Sequence, residues 1–153
     1  MTERGPHIMI VEARFYDDLA DEMALGAVAA LEAAGETYER FAVPGAFEIP
    51  AAIRFAMEAM SPAEGGRKFD GYVALGCVIR GETTHYDYVC QESARALQNL
   101  ATERLAAIGY GILTCETGEQ AWARAARDRG NKGAAAVEAC LAMVALRNRF
   151  QLT

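Results

Sequence analysis

The sequence predicts a small α/β domain of three layers, a four-stranded parallel sheet with helices on both faces. Three observations carry that reading. Short apolar runs alternate with longer segments of helical period along the chain, which implies parallel strands joined by right-handed crossovers. One run, Tyr72 to Ile79, is apolar throughout except for Gly76, as expected of a strand buried on both faces. The 153 residues, 52% hydrophobic and 24% charged, suit one domain over 1–153 with a proper core.

The elements follow in order. Residues 8–13 (IMIVEA) read as the first strand, and Asp17-Asp18 open a helix through about Ala34. The early acids favour the helix dipole, and Gly35 is its natural stop. Tyr38 to Val43 reads as a second strand and Pro44-Gly45 as a turn. Phe47 to Met60 has helical period, with Pro50 in the first turn, where proline is tolerated. Residues 61–68 (SPAEGGRK) form a loop before the central strand. A helix then runs from Asp87 to about Ile108, and a fourth strand from Gly111 to Cys115. Thr117 with Gln120 makes a capping-box pattern for a helix to about Arg127. Gly130-Asn131 breaks it, and Lys132 to Arg149 forms the last helix. The order β-α-β-α-β-α-β-α-α, without repeat or linker, resembles flavodoxin-type folds.

Bulk properties narrow the partners. Fifteen Lys and Arg against 21 Asp and Glu give a net charge of -6, which argues against nucleic acid or an anionic membrane. No apolar run approaches the ~18 residues of a membrane span, and the N-terminus lacks a signal-peptide build, so a soluble cytoplasmic protein is expected. Cysteines at 77, 90, 115 and 140 form no CxxC pair and read as buried, reduced thiols. His7 and His85 stand apart from them, so no metal-ligand set assembles and no metal or redox cofactor is expected.

In a parallel sheet every strand leaves at one edge, where open α/β folds bind ligands. Here the exits carry Phe15, the Ala46-Phe47-Glu48 turn, the Val78–His85 loop, and Thr114 to Glu116. His85 is the candidate general acid or base, because imidazole ordinarily titrates near neutrality; a surface-loop histidine is the competing reading. Gly81, Thr83 and Thr84 at a helix start suit an anion, as do many loops that bind nothing. Glu48, taken alone, reads as a dipole-favourable acid at a helix start, and Phe15 more often as a core aromatic than as a stacking platform. Arg124 and Lys132 flank the break between the last two helices, either solvated or as a cationic anion seat. Arg80 reads as a solvent-facing or inter-subunit charge.

Three segments, GAFEIP (45–50), GCVIRGETTHYDYV (76–89) and GNKG (130–133), occur in order at characteristic spacing. Together they resemble the 6,7-dimethyl-8-ribityllumazine synthases of riboflavin biosynthesis, from Phe15 to Phe150. That family condenses 5-amino-6-(D-ribitylamino)uracil with 3,4-dihydroxy-2-butanone 4-phosphate. The resemblance implies that Phe15 stacks on the pyrimidine and that Ala46, Phe47 and Glu48 hold the ribityl chain. It puts the backbone of Val78 and Ile79 at the pyrimidine edge, Glu82 and Thr83 at the phosphate, and His85 in the proton transfers. Arg124 would pair with the phosphate and Lys132 contact the pyrimidine. Tyr110 falls where the family usually has phenylalanine, in a wall supplied by a neighbouring subunit.

The resemblance also implies a homo-oligomer whose sites lie between subunits of a pentamer. The N-terminal arm before the first strand is short, which favours a free pentamer over a sixty-subunit capsid. At position 135, where relatives commonly carry an acid, this chain has alanine. That departure keeps open a non-catalytic flavin- or lumazine-binding protein on the same fold.

Overall fold

The computed structural model describes residues 5–59 and 69–152; the loop expected over 61–68 lies outside them. Four strands, β1 (His7–Ala13), β2 (Thr37–Val43), β3 (Gly71–Ile79) and β4 (Ile108–Cys115), form one sheet of order β2-β1-β3-β4. Every pairing is parallel. Among the described residues the helices are α1 (Asp17–Ala33), α2 (Ile49–Ala59), α3 (His85–Arg104), α4 (Gly118–Ala125) and α5 (Lys132–Arg149), with a 3-10 turn at Ala46–Glu48. The architecture is the expected three-layer α/β sandwich of flavodoxin-like type.

The alternation of side chains along each strand builds two cores. Ile8 and Ile10 of β1 join Val73 and Leu75 of β3, with Met23, Leu31, Val137 and Val144, beneath α1 and α5. Met9 and Val11, in between, face the other way with Ala74, Ile112, Ile53 and Leu97, beneath α2 and α3. Both faces of β1 and β3 are therefore sealed, which is why Tyr72 to Ile79 shows no polar alternation. Fully burying one such aliphatic side chain is worth about 1.5–3 kcal/mol.

The differences from the expected boundaries are local. Helix α3 starts at His85, not Asp87, and ends at Arg104, where Leu105 turns left-handed (φ 57°). Strand β4 begins at Ile108, three residues before the expected Gly111. Gly109 looks like a breaker but lies inside the strand. A Cβ there would strike the Ala136 carbonyl of α5, so glycine allows α5 backbone contact with the sheet. The Thr117 cap forms as expected, its Oγ1 accepting from the Gln120 N–H at 3.2 Å, while Gln120 Oε1 reaches one residue past the cap and accepts from the Glu116 N–H at 2.8 Å. Among the described residues no helix is long and apolar enough to cross a membrane.

Candidate active site

The strand order fixes where the site lies. The chain winds from β1 outward to β2, then returns past β1 to β3 and outward to β4, so the winding reverses between β1 and β3. Connections leave the sheet in opposite directions there and open a crevice at the strand exits. Pairing of β1 with β3 ends at Glu12 opposite Leu75, whereas β3 continues to Ile79, paired only with β4. The flank of Gly76 to Ile79 facing β1 is left without a strand.

The 46–48 turn occupies that flank. Gly76 lies beside it: a Cβ there would make ordinary contact with Ala46 Cβ at 3.7 Å and a tight one with Ala13 Cβ of β1 at 3.2 Å. Ala46 is buried against the strand, while Phe47 and Glu48 stand exposed at the crevice. Phe15, leaving β1, is 74% exposed, and its ring meets Tyr16 edge-on at 4.9 Å. Val78 and Ile79 are half-buried at the end of β3.

The loop after β3 is held at its base. Arg80 donates to Glu116 Oε2 at 2.8 Å and to Asp87 Oδ1 at 3.3 Å, and its guanidinium lies 4.3 Å from the Tyr86 ring centroid. Arg80 is thus a structural clamp joining β3, the end of β4 and the first turn of α3. Burial raises the Tyr86 phenol above its ordinary pKa. Beyond the clamp, the N–H groups of Glu82, Thr83 and Thr84 have no partner among the described residues. The His85 N–H reaches Thr83 Oγ1 at 3.3 Å, and Thr84, at the helix cap, makes no side-chain capping bond. The His85 side chain is exposed and makes no hydrogen bond or ion pair to any described residue. The α3 start therefore presents free donors and an unpaired imidazole together.

The remaining candidates stand elsewhere on the chain. Arg124 lies on α4, its Nη1 donating to the Gln120 carbonyl at 3.0 Å. Its charge partly offsets the burial that raises the Cys115 thiol, which places it near the β4 exit. Lys132 is exposed at the first position of α5, and Gly133 beside it packs on Met23 and Ala27 of α1. Tyr110 lies opposite Ala74, five residues before the β3 exit, or roughly 17 Å along the strand. Burial raises its phenol pKa, and a hydrogen bond with the buried Ser93 opposes that rise. Among the described residues no polar contact joins Tyr110, Arg124 or Lys132 to Phe15, Glu48 or His85. One chain gathers Phe15, the 46–48 turn and the 78–85 loop at the strand exits, with Arg124 near Cys115, the strand neighbour of Ile79, and Tyr110 farther back along β4.

Sequence reasoning missed Glu12. It is 4% exposed and holds two arginines beside the crevice, Arg14 and Arg40. The available signal was a carboxylate inside the apolar run IMIVEA.

A parallel sheet with a switch-point crevice, free amides at a helix start and a nearby histidine define a flavodoxin-like α/β protein with a candidate anion-binding site. Comparison with known proteins makes this specific. The family model for 6,7-dimethyl-8-ribityllumazine synthase matches residues 5–148. The chain is 59% identical to 6,7-dimethyl-8-ribityllumazine synthase 1 of Rhizobium meliloti, covering 94% of this chain and 93% of the relative. It is 54% identical to the synthase of Agrobacterium fabrum (95% and 97% covered) and 53% to that of Bartonella tribocorum (96% and 93%). The chain belongs to the 6,7-dimethyl-8-ribityllumazine synthase family, transferases of riboflavin biosynthesis.

Proposed function

We propose that the chain condenses 5-amino-6-(D-ribitylamino)uracil with 3,4-dihydroxy-2-butanone 4-phosphate to give the lumazine, inorganic phosphate and water. The observation that carries this reading is the loop after β3, where unpaired N–H groups and an unpaired imidazole share the switch-point crevice with Phe15. In this reading Phe15 stacks on the pyrimidine, and the backbone of Val78 and Ile79 meets its edge. Ala46, Phe47 and Glu48 take the ribityl chain, with the Glu48 carboxylate accepting hydrogen bonds from its hydroxyls. Glu82 and Thr83 bind the phosphate through N–H groups and the Thr83 hydroxyl.

The amine attacks the ketone, and loss of water gives an imine. Phosphate then leaves by elimination to an enol, and ring closure expels a second water. Each step moves a proton, which His85 accepts or returns. Holding two reactants on a ring platform and an anion seat lowers the barrier by several kcal/mol through effective molarity.

Tyr110, Arg124 and Lys132 serve the site of an adjacent copy, so the working unit is a homo-oligomer, a pentamer in preference to a capsid. Phe55 and Tyr88, 71% and 66% exposed, support burial of part of this surface between copies. The test is to mix the two substrates with the protein and follow lumazine absorbance and fluorescence together with phosphate release. Stoichiometric product and phosphate are expected. Ligand binding without product would overturn the reading in favour of a binding protein, the alternative that Ala135 keeps open.

A further inference from the structure

We propose that Glu12 is a positioning residue for the ring platform, acting on Phe15 through Arg14. The inference rests on the reading of Phe15 as the surface on which the pyrimidine stacks.

Phe15 has little packing of its own to fix it. Its ring is 74% exposed, and among the described residues its one ring contact is Tyr16. Its position is therefore inherited from the backbone on either side. On the N-terminal side stands Arg14, which is held at both ends. Its N–H donates to the Val43 carbonyl at 3.0 Å, extending the β1–β2 ladder one residue past Ala13. Its guanidinium donates to Glu12 Oε1 at 3.0 Å and to Asp21 Oδ1 at 2.5 Å, tying it to the first turns of α1. On the C-terminal side, Tyr16 is partly buried and packs against the core beneath α1 and α5. The Glu12 carboxylate thus holds the residue on one side of the ring, Arg14, directly.

Glu12 is itself over-determined. Arg40 of β2 grips it with two bonds, Nε to Oε2 at 2.6 Å and Nη2 to Oε1 at 3.0 Å. It is the one charged residue among the described residues that is buried, with only 4% exposed. Removing a carboxylate from water is costly, and an apolar side chain of like volume is usually as stable or more so. Stability alone gives no reason for a charge here. A fixed carboxylate at the rim of the crevice, bidentate to one arginine and aiming a second, is how a rigid scaffold orients a group that packing does not hold.

The test compares Glu12→Gln, Arg14→Met and Phe15→Ala, alone and with each of the first two combined with the third, in the full-length assembled enzyme. KM for each substrate, kcat and the melting temperature are measured. Glu12→Gln and Arg14→Met are expected to raise KM for the pyrimidine substrate about fivefold and to leave KM for the butanone phosphate within about twofold. Combined with Phe15→Ala, neither should raise it beyond Phe15→Ala alone, because the route to substrate is already cut. A lowered melting temperature with both KM values unchanged would make Glu12 merely structural and overturn the proposal. Effects that multiply with Phe15→Ala would overturn it as well. Phe15→Ala leaving the pyrimidine KM unchanged would sink the platform reading itself, and this inference with it. Should Glu12→Gln fail to fold, Arg14→Met carries the same comparisons, since Glu12 keeps its bidentate partner Arg40.

Discussion

His85 and Arg124 carry opposite kinds of chemistry, and their substitutions should separate in kinetics. The imidazole has no protein partner among the described residues, so in the proposed site its work is proton transfer to substrate. His85→Ala is expected to lower kcat about 100-fold with little change in either KM, read from steady-state lumazine formation. Arg124 contributes charge. Arg124→Gln should raise KM for the butanone phosphate about tenfold and leave the pyrimidine KM unmoved, the pattern of a lost charge-assisted anion contact. That Phe15, Glu48 and His85 fall in the segments leaving β1, β2 and β3 was legible in the sequence, because the runs that read as those strands end shortly before them. Glu12 was not. Its partner Arg40 lies 28 residues on, and only the side-by-side pairing of β1 and β2 brings them together.

Among the elements, the sheet and helix succession was readable from periodicity, and the Thr117 cap of α4 from its side chain. The strand order was not, since alternation of strand and helix fits several windings. With it went the switch point between β1 and β3, the feature that locates the crevice. The start of β4 was hidden for another reason: Gly109 serves a tertiary contact that no local pattern displays. That contact makes a prediction at this scale. Gly109→Ala would push a methyl into the Ala136 carbonyl, and neither strand nor helix backbone can yield cheaply. A loss of about 3 kcal/mol or more in urea unfolding is expected, with α5 lifted from the sheet.

For the whole molecule, the lack of any polar contact, among the described residues, from Tyr110, Arg124 or Lys132 to Phe15, Glu48 or His85 bears on assembly. On the proposed reading, activity per chain should fall on dilution in step with the loss of the pentamer, measured as mass in solution. Stability should also fall in alkali. Burial pushes the Cys77 and Cys140 thiols up from an ordinary value of 9.0 to about 12. A raised folded-state pKa means their contribution is fully present below about pH 9, where both states hold the proton. It is lost as pH climbs from there toward 12, as the unfolded chain releases protons that the folded one retains. Denaturant midpoints taken across that window should drop, and a Cys77→Ala, Cys140→Ala double variant should show a flatter profile. The four sulfurs also lie at graded depths: Cys90 half-buried on α3, Cys77 and Cys115 at the outgoing ends of neighbouring strands, and Cys140 sealed on the inner face of α5. An alkylating reagent would accordingly tag them in the order in which each layer breathes, giving the molecule a built-in clock for its own opening.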